Sequence, residues 1–95
     1  MIIETPYKQG DAVTVKLTSG EELVTRFEEE KPEGIKVSKP MSLTATQEGI
    51  GLAPFVFTID PETPFVINNS AIVCVAKTEE QMATQYIQNT TGLQV

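Results

Sequence analysis

Along the first third of the chain, apolar residues fall at every second position. Val13, Val15 and Leu17 alternate with Thr14 and Lys16, a Ser19-Gly20 turn follows, and alternation resumes at Leu23, Thr25 and Phe27. It breaks at Lys31-Pro32-Glu33-Gly34 and resumes at Ile35 and Val37. A period of two, cut by short polar turns, predicts an antiparallel meander. The expected strands cover residues 12–18, 21–29 and 35–43. Pro40 lies inside the third and has no N–H to donate, so that strand is expected to be interrupted or at an edge there.

The second half is less regular. Residues 44–51 hold two glycines and read as a loop or a wide hairpin turn. Phe55, Phe57 and Ile59 alternate after Pro54, which predicts a fourth strand over 52–59. Asp60-Pro61-Glu62-Thr63-Pro64 reads as a tight turn closed by the Asp60 side chain. A short strand is expected over 65–67, then a turn at Asn68-Asn69-Ser70. Asparagine enters left-handed backbone at modest cost, so either one suits that turn. Residues 71–76 are apolar at nearly every position, which predicts burial on both faces, in a closed barrel or against a partner. Cys74 is accordingly expected to be buried and inert. The tail then changes period. Thr78 followed by Gln81 is a capping-box pattern, and Glu79 and Glu80 suit the positive end of a helix. Met82, Ala83, Tyr86 and Ile87 recur at helical spacing, so a helix is expected over about 79–89, ended near Gly92, with that stripe packed on its own sheet or on a neighbour. Leu93-Gln94-Val95 reads as a frayed or docked end.

Composition narrows the possible functions. Ninety-five residues make one domain with a small core, a weakness that oligomerisation often remedies. No apolar run reaches the ~18 residues of a membrane span, and MIIETPYKQ has no basic segment leading an apolar one, so neither membrane nor signal peptide is expected. One cysteine cannot form an internal disulfide, which fits a reducing, cytoplasmic setting. The net charge is −6 and the seven basic residues are scattered, unlike the basic patch of most nucleic-acid binders. The densest charge cluster is acidic, Glu28-Glu29-Glu30, and reads as a solvated strand end and turn. There is no histidine, hence no usual general base and no ordinary zinc constellation. Ser19-Gly20 lacks the flanks of a nucleophile elbow, and no glycine-rich phosphate loop is present. Asp60 and Glu62 are better explained by turn chemistry than by acid–base work. Neither an enzyme nor a cofactor nor a metal is expected.

The strand segments carry a resemblance. VTVKLTSGEELVTRF resembles the first signature block of the Sm-like family of Sm, Lsm and Hfq-type rings, with Gly20 at its turn glycine. PFVINNSAIVCV resembles the second block, in which a strand enters a tight two-residue turn and leaves as the closing strand. Val66 and Ile67 match the incoming residues, and Ile72, Val73 and Val75 the closing strand. The resemblance implies a mostly β fold: a small, strongly bent, five-stranded antiparallel Sm-like (SH3-like) barrel over about 10–76, with a C-terminal α-helix, in one domain spanning 1–95. It also implies self-association. In such proteins the fourth strand pairs with a neighbour's fifth, and that head-to-tail contact closes a homo-oligomeric ring, here of roughly five to seven copies.

The chain departs from the family at its binding residues. The aspartate and asparagine expected between the second and third strands are replaced by Lys31-Pro32-Glu33-Gly34, and the Arg-Gly of the second block by Asn68-Asn69. The clear helix follows the strands rather than preceding them. By the resemblance, Asn68, Asn69 and Ser70 line a pore with Lys31 nearby, and single-stranded RNA is the ligand. Asn68 then offers its amide to a base edge, while Asn69 supplies the left-handed backbone of the turn. The alternative is a structural or protein-interaction ring that has lost the RNA site, which the acidic composition and the C-terminal helix favour.

Overall fold

The computed structural model describes residues 6–91. Six strands and one helix follow in order: β1 (Ala12–Leu17), β2 (Glu22–Lys31), β3 (Gly34–Thr46), β4 (Gly49–Pro54), β5 (Phe65–Asn68), a single 3-10 turn (Asn69–Ala71), β6 (Ile72–Lys77) and α1 (Glu80–Thr91). All pairings are antiparallel, in the order β4-β3-β2-β1-β6. β3 is long enough to serve two partners on one edge. Its residues 34–37 pair with β5, and its residues 41–46 pair with β4. The fold is mostly β and antiparallel with a C-terminal helix, as expected, but the sheet has six strands rather than five and is not closed into a barrel. β5 and β6 follow one another through the 3-10 turn without pairing, and the β3–β4 hairpin adds a strand.

The alternating residues all land on one face. Val13, Val15, Leu17, Leu23, Phe27, Ile35, Val37 and Ile67 form one buried cluster, with Tyr7, Phe55, Phe65 and Val75 packed against it. The Tyr7 ring meets Phe27 edge-on at 4.8 Å.

Pro40 interrupts the β2–β3 ladder as expected, but the chain stays extended through it and β3 does not end there. The register runs from Val24↔Met41 to Arg26↔Ser38, so Thr25 alone faces Lys39 and Pro40. This is a β-bulge, one of the few places in a sheet where proline is tolerated. Lys39 takes a left-handed φ of 51°. The backbone groups freed by the bulge all find partners. Thr25 Oγ1 donates to Ser38 O at 2.7 Å, and Tyr86 OH donates to Lys39 O at 2.6 Å. Lys39 N donates to Pro61 O at 3.0 Å, and Phe55 N donates to Pro40 O at 3.2 Å.

Several expectations need correcting. Of the two readings of residues 44–51 the hairpin holds, but it is tight: β3 runs on to Thr46, and a two-residue Gln47-Glu48 turn leads into Gly49 at φ 123°. β4 ends at Pro54 and does not continue to Ile59: the Phe55 N–H makes a last rung to Pro40 O, Pro40 has no N–H to return it, and Phe57 is 85% exposed. Glu28-Glu29-Glu30 lies at the end of β2 as expected, but it does not reach into the turn, and Glu28 is half-buried. β6 is not buried on both faces. Among the described residues it pairs only with β1, so Ile72 and Val75 are half-buried while Val73 and Cys74 are exposed. The helix is capped by Glu79, not Thr78. The Glu79 carboxylate accepts from Gln81 N and Met82 N at 3.1 and 2.7 Å, while Thr78 is buried against Thr14, their hydroxyls 2.9 Å apart. The Met82–Tyr86 stripe packs on the chain's own sheet, with Tyr86 3% exposed. Residues 92–95, where the helix end and tail were expected, lie outside the described residues.

Tyr86→Phe tests the bulge. It leaves the helix stripe apolar but strips Lys39 O of its donor, so unfolding in urea should show a loss of ~1–3 kcal/mol, the cost of a buried acceptor left unmet. An unchanged midpoint would mean that the helix docks by packing alone.

Candidate functional site

The expected site residues sit where two turns meet. Cross-strand pairing sets Gly34 opposite Asn68, which brings the β2–β3 turn against the 3-10 turn. A Cβ on Gly34 would lie 1.9 Å from Ile67 O, so only glycine allows this approach. Asn69 holds the turns together: its backbone N donates to Glu33 O at 2.8 Å and its Nδ2 to Pro32 O at 3.1 Å. Lys31, Asn68, Asn69 and Ser70 are thus brought to one end of the sheet.

Their side chains do different work from that expected. Asn68 is extended (φ −69°, ψ 142°) and caps the 3-10 turn, its Oδ1 accepting from Ser70 N at 2.9 Å. Asn69 begins the 3-10 turn and is not left-handed; among the described non-glycine residues only Lys39 has positive φ. The asparagine pair is therefore turn chemistry, of the kind these residues favour at N-caps. What remains for a ligand is the exposed Asn68 Nδ2 and the Ser70 hydroxyl. Lys31 ion-pairs with Glu29 at 3.6 Å, and Glu30 and Glu33 stand close by in sequence. A phosphate approaching this end meets more negative charge than positive.

A second polar cluster, which the sequence does not announce, lies on the opposite face of β2 from the core. A register shift between Phe27 and Glu29 makes Glu28 a bulge residue. Its carboxylate accepts from Ser38 Oγ at 2.6 Å and Gln9 Nε2 at 3.3 Å. Arg26 Nε lies 3.2 Å from Glu28 Oε2, an ion pair without in-line hydrogen-bond geometry. Desolvation is the largest single influence on Glu28 and pushes its pKa up. The Ser38 and Gln9 hydrogen bonds and the charges of Arg26 and Lys36 together outweigh it and hold the pKa below its ordinary value. Burial drives the Tyr86 phenol well above its ordinary range, so it stays a neutral donor. The only sequence cue to this cluster is a polar residue at each outward position, which solvated strands share.

The remaining candidates are structural. Asp60 Oδ1 accepts from Glu62 N at 2.8 Å and Asp60 O from Thr63 N at 2.9 Å, which closes the turn as expected. Among the described residues, no group of three or more His, Cys, Asp or Glu is placed to hold a metal, and no helix is long and apolar enough to cross a membrane.

Two outcomes are expected. Asn69→Ala should lower the melting temperature more than Ser70→Ala, since it breaks the Pro32 link; equal melting would remove Asn69 from its joining role. Glu28 should contribute to acid sensitivity. Its folded pKa is depressed, so its stabilisation is complete above the unfolded value and is lost as pH falls through the folded one. Glu28→Gln should therefore be less stable than the parent at neutral pH and lose less on acidification, as read from melts between neutral and acid pH. Parallel curves would exclude it. No protein-family model matches the chain, and no curated protein matches it, so the reading of its site rests on its own geometry.

Proposed function

We propose that the chain is a divergent Sm-like module with a structural or protein-binding role, and that it joins copies of itself edge to edge into a closed ring. The carrying observation is its pair of open sheet edges. Among the described residues β5 pairs only with β3 and β6 only with β1. Each edge bears exposed apolar side chains: Val66 on β5, and Val73 (61% exposed) and Cys74 on β6. An open edge with apolar side chains is a template for another strand. Pairing β5 of one copy with β6 of the next joins two different surfaces, so it is head-to-tail, and a suitable rotation closes it. The path from β5 through one tight turn into β6, which pairs back on β1, supports the Sm-like reading. The β3–β4 hairpin is then an addition to that plan.

A second reading, single-stranded RNA on the Asn68-Asn69-Ser70 turn, draws support from the nearness of Lys31 to that turn. Against it stand the use of Asn68 Oδ1 and Asn69 Nδ2 within the turns, the acidic neighbours of Lys31, and a charge of −6 that a ring multiplies. Stacking platforms are also few, with Tyr7, Phe27 and Tyr86 committed to packing.

Light scattering on the full chain should give one discrete species of roughly five to seven copies, and Val73→Glu should reduce it to monomer. Cys74 should then react slowly with a thiol reagent in the parent and rapidly in Val73→Glu. A parent that is monomeric at micromolar concentration rejects the ring. Short U-rich and A-rich RNA at low salt should show no saturable binding; binding that Asn68→Ala abolishes would restore the nucleic-acid reading.

A further inference from the structure

Along one flank of α1 lies a cleft of about 220 Å³, lined by Gly10, Ala12, Arg26, Lys39, Tyr86 and Thr90 among others. Two of the chain's seven cationic side chains line it, and no carboxylate does. In a protein of net charge −6 that placement is unusual, although each cation is paired with a carboxylate outside the lining, Glu28 for Arg26 and Glu62 for Lys39. It also has a structural origin. Arg26 stands on the outward face of β2 beside the Glu28 bulge, and Lys39 is the left-handed residue of the β3 bulge. The two irregularities of the sheet thus bring both cations under one helix.

Arg26 is held in place at its inner end. Nε faces Glu28 Oε2 at 3.2 Å, and Glu28 is itself fixed by Ser38 and Gln9. The terminal nitrogens of the fork meet no hydrogen-bond partner or carboxylate among the described residues. Nη2 lies near Gly10, where an added Cβ would stand 4.0 Å from it. A guanidinium has five N–H donors, so the Glu28 pair leaves the outer pair of nitrogens able to take two oxygens side by side. Lys39 is 14% exposed, and its ammonium pairs at 3.5 Å with Glu62, a carboxylate that is 75% exposed. Such a partner sits largely in solvent and is weakly held, so an incoming anion can replace it. The Tyr86 hydroxyl donates its one proton to Lys39 O and stays neutral, so it brings no charge to oppose an anion, although its oxygen can still accept. Ala12 forms an apolar wall, which leaves room for a small organic body beside the anion.

We propose that this cleft binds a phosphate group, with the outer guanidinium nitrogens of Arg26 taking two of its oxygens and Lys39 neutralising a third. Planar bidentate pairing favours guanidinium for this task over a point charge. The proposal rests on the geometry of one chain and not on how copies associate. The overall negative charge opposes every anion, so affinity in the millimolar range is expected.

The test is an amide-shift NMR titration of the full chain with inorganic phosphate, against sodium chloride at matched ionic strength. Saturable shifts should centre on Gly10, Arg26, Lys39 and Thr90. Arg26→Gln should weaken binding ~10-fold or more, as the loss of a charge-assisted pair implies. Arg26→Lys should recover only part of that loss, and Glu62→Gln should tighten binding by freeing Lys39. Adenosine monophosphate distinguishes the source of the group: affinity equal to inorganic phosphate assigns the site to the free ion, and tighter affinity to a phosphate ester. Shifts that match those of chloride, or that are unchanged in both Arg26 variants and in Glu62→Gln, overturn the proposal. The last variant alters only an exposed loop residue, so the test survives even if Arg26→Gln unfolds.

Discussion

The bulge at Lys39-Pro40 is the constraint on which the rest of the structure depends. It holds a left-handed lysine, which costs ~1–2 kcal/mol, and a proline that cannot donate to the ladder. Each of the four hydrogen bonds around it contributes about 1 kcal/mol, and an unmet buried group costs more than that. The bulge is therefore stable only when all its partners are in place. Those partners come from four separate parts of the chain: Thr25 on β2, Phe55 after β4, Pro61 in the long connection, and Tyr86 on the helix. The same point divides β3 into the part that pairs with β5 and the part that pairs with β4. One irregular dipeptide thus sets the path of β3 and the position of the helix.

The sheet has two unlike faces as a result. The inner face is a conventional apolar cluster built by strand alternation. The outer face, under the helix, is polar and ordered. Thr14 meets Thr78, Ser38 and Gln9 hold Glu28, Glu28 orients Arg26, and Tyr86 reaches the bulge. Buried polar groups are tolerated there because nearly every one is partnered. This face also buries Val24 and Tyr86, and it positions charges closely; the two cations that line the cleft owe their placement to it.

The edges connect this architecture to function. A small domain buries a limited share of its surface, and here β5 and β6 end with apolar side chains facing outward. The turn between them is built from Asn68, Asn69 and Ser70, whose hydrogen bonds serve the chain itself. Among the described residues the outer edges of β5 and β6 are unpaired, which together with the occupied turn residues supports the proposed assembly rather than base recognition.

The sequence by itself determined the inner face and the order of the elements. Most apolar residues from Val13 to Val37 fall at alternate positions within each strand, so the meander, its turns and most core residues were legible, while the burial of Val24 beside Leu23 was not. Asp60 and the Met82–Tyr86 stripe were legible for the same reason, since their chemistry is local. What the tertiary structure alone decided depends on contacts far apart in sequence. The apolar run at Ile72-Val73-Cys74-Val75 predicts burial on both faces, but whether a second layer covers a strand is a property of its neighbours. Pro40 predicts a break, but a bulge becomes possible only because Tyr86, 46 residues later by their numbers, supplies a hydroxyl to Lys39 O. Thr78 outranks Glu79 as a cap by local pattern, yet Thr14 takes its hydroxyl. Asn69 suits a left-handed turn, yet the close approach at Gly34 places it in a 3-10 turn with Pro32 O as its partner. Local periodicity reports which side of an element is apolar; the partner that meets each polar atom is set only when distant segments pack.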